Sequence, residues 1–265
     1  MRPRAILQGV LFGLGRKLPP GAVRAINLAR GIDAPRLVEL PPGKRPVVVA
    51  PHPDDELIGC GGTIVKHSAA GHPIHVVMAT SGERSASFVG SDSGSARAQR
   101  EGEALAGLSE VGVEADRVTF LRLREGELEG ADMGPMARVL GALSPDLLYV
   151  PSPGDGHADH AATSRLVAAC LTRLPTVRHV ALYEVMTPVY PTVVVDISEQ
   201  VGPKLAGLQR YESALASVDF VHTSRGLAAY RSVHCMHGRG HAEAFTLLRP
   251  GDFALLARQE PAPRP

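Results

Sequence analysis

The chain has 265 residues, 44% hydrophobic and 21% charged, the balance of a globular protein rather than of a disordered or collagen-like one. A formal net charge of +1, with 4% aromatic residues and no Trp, argues against a dedicated nucleic-acid surface or a base-stacking platform. The three scattered cysteines, Cys60, Cys170 and Cys235, make neither a disulfide framework nor a zinc knuckle and fit a reducing cytoplasm, so the count that stands out is histidine, at 11.

The neutral total hides a split. Residues 1–45 carry nine Lys or Arg against Asp33 and Glu39, a net +7, and the other 220 residues carry 19 basic and 25 acidic groups, a net −6. The apolar run over 5–15 is too short to span a bilayer, and it lacks the small-residue cleavage site of a signal peptide. A basic arm over 1–45 is therefore expected, followed by a main domain over 46–265. Packing of the arm on the domain, or on a partner subunit of a homo-oligomer, is favoured over contact with an anionic membrane.

Pro41-Pro42-Gly43 and Pro46 mark the entry to the main domain. Residues 47–50 are an unbroken β-branched run, the pattern of a buried parallel strand. A turn follows, then a helix over 55–70. Asp54 is its N-cap candidate, Asp55 and Glu56 suit its positive end, and Gly71 closes it. Further strands are predicted at 74–79, 118–123, 146–150, 180–185 and 192–195. Helices are predicted at 97–111, 133–143, 157–174 and 199–217, and the Ser/Gly-rich stretch 80–95 reads as a loop. Strands and helices alternating at this spacing predict an α/β fold, a three-layer, Rossmann-like, doubly wound and mostly parallel sheet. The region after Ser217 yields no clear pattern.

Two polar clusters occupy equivalent places. Pro51-His52-Pro53-Asp54-Asp55-Glu56 follows the first strand of the main domain, and Asp155-Gly156-His157-Ala158-Asp159-His160 follows the fourth. In open α/β sheets, ligands bind outside the carboxyl ends of the strands near the switch in strand order, so the two loops are expected to converge. Two His and a carboxylate with an open position form a catalytic zinc set, and the same donors could take non-haem iron. His52 and Asp55 sit three residues apart across a strand-to-helix turn. His157 and His160 share one face of a helix start.

These motifs resemble those of the LmbE-like, or PIG-L-like, zinc-dependent N-deacetylases. Residues 51–56 resemble the family's (A/P)-H-P-D-D-E signature, and 155–160 its D-x-H-x-D-H motif. Supporting likenesses are Thr80-Ser81-Gly82-Glu83, Arg100-x-x-Glu103, the stretch from Phe120 to Leu128, and His241-Ala242-Glu243-Ala244-Phe245, where His stands in place of Tyr. The match covers about residues 46–247.

The resemblance implies one zinc ion per chain, held by His52, Asp55 and His160, while the donor types leave Fe²⁺ as the alternative. It implies Asp54 as general base and His157 as stabiliser of the tetrahedral intermediate. It implies release of an acyl, normally acetyl, group from a glucosamine-type sugar by metal-activated water. Some relatives use a Tyr two residues before the first His of the second motif. Asp155 stands there, which puts tyrosine assistance from that position in doubt. Asp155 or Asp159 is expected to orient His157.

Arg100 is the best candidate for a substrate contact, with a helix-face ion pair to Glu103 as the plain alternative. Ser85, Ser87 and Ser91 in the long loop could meet sugar hydroxyls or merely fill the turn. His237 and His241 are candidates for the substrate pocket because the resemblance brings their region near it. A second metal at His234, His237 and His241 is not expected, since no acidic or paired Cys partner accompanies them. Cys60 reads as a packed thiol, and His67, His72, His75 and His179 as filler. No Walker lysine or G-x-G-x-x-G follows a strand, so no nucleotide cofactor is expected.

The expected partner is a small amino-sugar conjugate, with no nucleic acid. Arg exceeds Lys by 24 to 4, the mark of a GC-rich bacterial gene. The alternatives are an amidase of the same family acting on thiol–sugar conjugates, and a non-catalytic glycan- or lipid-binding module. Amine release that stops with a chelator and returns with zinc excludes the last.

Overall fold

The computed structural model describes residues 34–84, 86–88 and 92–259. Of the basic arm, residues 1–33 lie outside the described residues. Residues 36–38, read from the sequence as part of the arm, instead form the edge strand of the sheet.

Eight strands make one sheet, in the order β1-β7-β8-β6-β5-β2-β3-β4. They are β1 (Arg36–Val38), β2 (Pro46–Ala50), β3 (His75–Met78), β4 (Val118–Phe120), β5 (Leu147–Pro151), β6 (His179–Tyr183), β7 (Val193–Asp196) and β8 (Ala242–Leu248). Only β8 runs antiparallel to its neighbours, so the fold is the mostly parallel α/β sheet that the sequence predicts. From β2 the chain builds outward to β3 and β4. It then returns to the other side of β2 with β5 and β6, so the switch point lies between β2 and β5.

Strands β2 and β5 are buried along their whole length, as unbroken apolar runs covered on both faces should be. Alternate side chains serve opposite layers. Val48, Ala50, Val76 and Met78 face α1 (Asp55–Ala69), α2 (Ser93–Glu110) and α5 (Val201–Leu208). Val47, Val49 and Val77 face α3 (Gly134–Leu143), α4 (Ala158–Cys170) and α9 (Pro250–Gln259).

The structure redraws two predicted elements and fills the region left unread. The loop after β3 is shorter, because Asp92 accepts the Ser95 N–H and starts α2 at Ser93. The single helix over 199–217 is two pieces, α5 and α6 (Glu212–Leu215). The chain turns between them, and Tyr211 goes into the core to place its hydroxyl on the Glu56 carboxylate. The unread region after Ser217 holds α7 (Phe220–Arg231), α8 (Val233–Met236), β8 and α9. None of the described helices is long and apolar enough to cross a membrane.

Candidate metal centre and active site

Both histidine clusters leave the carboxyl ends of the strands that flank the switch point, β2 and β5. The Pro51–Asp54 turn delivers His52, and the first turn of α1 delivers Asp55. His157 is the N-cap of α4, and His160 lies one turn further in. Asp55 Oδ2 lies 3.2 Å from His52 Nδ1 and 3.3 Å from His160 Nε2. His52, His157 and His160 each bring a ring nitrogen to within 4.8 Å of the others. His52, Asp55 and His160 are buried; His157 is exposed.

The donors fit a metal ion. Nitrogen and oxygen ligands about 2.0–2.1 Å from a tetrahedral ion stand about 3.3–3.4 Å apart, the separations that His52 and His160 keep from Asp55. Charge points the same way. Burial lowers the pKa of His52, but hydrogen bonds to Asp159 and Asp55 and the nearby carboxylates overcome it and raise the ring to about 10. Burial likewise opposes protonation of His160, yet the Asp55 charge and the contacts with Asp155 and Asp55 lift it to about 9. Asp55 moves below the ordinary carboxylate range because the two rings outweigh its burial. A pocket that draws protons onto two imidazoles this strongly is one that attracts a cation.

The two flanking aspartates hold the His52 and His160 rings. Asp159 Oδ2 lies 3.0 Å from His52 Nε2 and accepts the Gly126 N–H at 2.8 Å. Asp155 Oδ1 lies 3.1 Å from His160 Nδ1, a charge contact outside good hydrogen-bond alignment, and accepts the His157 main-chain N–H. Its other oxygen accepts the N–H groups of Met186 and Thr187. The sequence suggests one or the other of these aspartates as the partner of His157. Their side chains meet His52 and His160 instead, because the α4 N-terminus turns His157 outward. His157 Nδ1 accepts the Asp159 main-chain N–H at 3.2 Å.

Asp54 occupies the N-cap position of α1 but makes no side-chain cap. Its φ of 111° lies in the left-handed region, where a non-glycine residue is strained. The Asp54 N–H donates to Glu56 Oε2 at 3.0 Å, which holds that conformation from inside the protein. Burial raises the Asp54 carboxyl to about 7 against the pull of Arg100, whose Nη2 is 3.5 Å away. Arg100 is itself buried, donating to the Pro53 carbonyl at 2.6 Å. It lines the cleft, yet its guanidinium is largely occupied with the turn that carries Asp54.

These groups open on a cleft of about 200 Å³, lined also by Glu125, Val185, Met186 and Phe220. His237 and His241 are not among its lining residues. His237 is an exposed left-handed C-cap of α8, and His241 lies beside Ser198 at the end of β7. Ser85 and Ser91 fall outside the described residues, and Ser87 bonds the Ser213 carbonyl. Glu125, 3.9 Å from His52 Nε2, was not singled out from the sequence. Its signal lay in the Phe120–Leu128 stretch, where no spacing to a ligand marks it.

Residues 47–171 match the PIG-L family, described as GlcNAc-PI de-N-acetylase. A probable N-acetyl-alpha-D-glucosaminyl L-malate deacetylase 2 of Bacillus anthracis is 30% identical over 189 residues, covering 64% of this chain and 81% of that protein. A 1D-myo-inositol 2-acetamido-2-deoxy-alpha-D-glucopyranoside deacetylase of Mycobacterium sp. (strain KMS) is 30% identical over 180 residues, 57% of this chain and 56% of that protein. The match thus spans little more than half the length of that relative. The N,N'-diacetylchitobiose deacetylase of Pyrococcus horikoshii shares the fold, with a TM-score of 0.71 and 22% identity over 80% of this chain and 86% of that one.

Proposed function

The chain belongs to the PIG-L-like N-deacetylase family, and from that premise we propose that it hydrolyses the N-acyl group of an amino-sugar conjugate. The observation that carries the proposal is the approach of His52 Nδ1 and His160 Nε2 to one oxygen of Asp55, with the buried Asp54 beside them. We assign His52, Asp55 and His160 as ligands of one Zn²⁺, with Fe²⁺ as the alternative ion. His157 could reach the same ion. Its exposure and its Nδ1 contact with a main-chain N–H favour a role toward substrate.

A bound divalent ion would supply a Lewis acid that brings the pKa of a water toward about 7. Asp54 takes the proton of the attacking water, and burial suits it to the task by moving its carboxyl toward neutrality. Arg100 holds the Asp54 turn and faces its carboxylate. His157 accepts at Nδ1, so the neutral ring carries its proton on Nε2 and donates to the developing oxyanion. The proton held by Asp54 then passes to the leaving nitrogen, and one carboxyl serves as base and then as acid. Asp155 and Asp159 keep the ligand rings in place throughout.

The test is amine release from a panel of N-acetylglucosaminides and thiol–sugar conjugates by the zinc-loaded full chain. Release that a chelator abolishes and zinc restores is expected. No release from any N-acyl amino sugar by protein shown to hold one zinc would end the proposal. The three cysteines are unpaired, in keeping with the bacterial cytoplasm as its place of work.

A further inference from the structure

The cleft continues beyond the histidine cluster. Val185, Met186, Val218 and Phe220 line it, and the same four residues line a second groove of about 260 Å³ that Ile58 and Leu227 help to form. The two spaces share a wall, made by the segment after β6 and the chain leading into α7. Their chemistry differs sharply. The cleft carries His52, Asp54, Asp55, Arg100, Glu125, His157 and His160, whereas no charged residue lines the groove among the described residues. Thr223 and Ser224 are its polar members.

Met186 is 58% exposed and Val218 44%. Large apolar side chains gathered on a surface beside a reaction site mark a place where something apolar is bound. Sugar hydroxyls do not suit it, because they would give up water for walls that offer few partners. A cavity of about 150 Å³ accepts benzene, so a groove this size has room for about ten carbon atoms.

We propose that the substrate is amphiphilic: its amide sits at the His52–Asp55–His160 cluster while an apolar chain or ring of about six to ten carbons lies in the Val185–Met186–Val218–Phe220–Leu227 groove. The inference rests on reading the cleft as an N-deacylation site. The apolar part is carried either as the aglycone or as the acyl group, since both lie within reach of the amide.

Two probe series test it without any need for turnover. Alkyl glucosaminides with a free amine lengthen the aglycone, and N-alkyl glucosamines lengthen the acyl position. Calorimetric Kd values for the zinc-loaded full chain are expected to fall about twofold to fourfold per methylene in at least one series, up to about six carbons. The series that responds identifies the position. Leu227→Asp is expected to flatten that slope. Thr223→Asp, at an exposed position on the groove, is expected to weaken it without touching interior packing. Kd values independent of chain length in both series overturn the inference, as does a slope that survives both substitutions. Amine release from methyl N-acetylglucosaminide is measured separately. Release with a flat slope keeps the deacetylase reading and removes the groove; a steep slope without release does the reverse.

Discussion

His52 Nε2 sits 3.0 Å from Asp159 Oδ2, and that carboxylate is itself fixed by the Gly126 N–H. The pair sets the tautomer of His52. In the neutral ring that a metal would bind, Nε2 keeps its proton and donates it to Asp159, and Nδ1 presents its lone pair on the side of Asp55. Carboxylates placed this way raise ligand basicity and hold ring orientation. Asp159→Ala is expected to weaken metal binding by about 10- to 100-fold while leaving the fold intact. Competition against a chelator of known affinity measures it, and an unchanged metal Kd would show that Asp159 only caps the Gly126 turn.

Asp54 is separable from the proposed ligands by the same logic. Asp54→Asn is expected to keep one metal per chain and to lose about a hundredfold or more in turnover, the scale of a missing general base. His52→Ala is expected to lose both. Metal content and turnover are measured on the same preparation. A metal-loaded Asp54→Asn protein with normal turnover would remove Asp54 from the mechanism.

The centre of the site is legible in the sequence because its donors lie in two short segments, each directly after an apolar run. Once residues 47–50 and 146–150 read as parallel strands, the switch-point rule brings His52 and His160 to the same crevice. The supports are not legible, because they are long-range and buried. Nothing in the spacing of Tyr211 says that it will leave a helix to reach Glu56, 155 positions away. Nothing local says that His241, the first residue of a family-like stretch, and His237 just before it stay out of the cleft. The rule that places a group at a strand end does not say which strand lies next to which.

Glu243 shows the cost of such supports. Its carboxylate enters the side of α1 and accepts the main-chain N–H groups of Gly62 at 2.8 Å and Thr63 at 2.7 Å. Lys204 closes the network, donating to Glu243 at 2.7 Å and to the Ile58 carbonyl at 2.8 Å. The glycines allow the approach: a Cβ at Gly61 would stand 2.8 Å from Lys204 Cγ, and one at Gly62 2.6 Å from Ile197 Cβ. Removing one member leaves a buried charge without its partner. Glu243→Ala is expected to cost about 3–5 kcal/mol, read from denaturant midpoints. A loss below about 1 kcal/mol, the scale of an exposed pair, would mean that water takes over the role of the carboxylate.

His67 supplies a pH test away from the metal site. It is fully buried in α1, with Nδ1 2.8 Å from His72 Nδ1 and Nε2 2.8 Å from the Tyr149 hydroxyl. Burial, reinforced by His72, depresses its pKa from 6.5 to about 3. Between those values the unfolded chain holds a proton that the folded one refuses. The stability tied to neutral His67 is therefore complete above about pH 6.5 and is lost progressively as the pH falls toward 3. From pH 7 to pH 5 the loss is about 2 kcal/mol. His67→Gln has no such titration. Unfolding free energies of both proteins at pH 7 and pH 5 should show the native chain losing about 2 kcal/mol more than the variant. Equal losses in the two would mean that His67 takes up its proton in the folded state as readily as in the unfolded one.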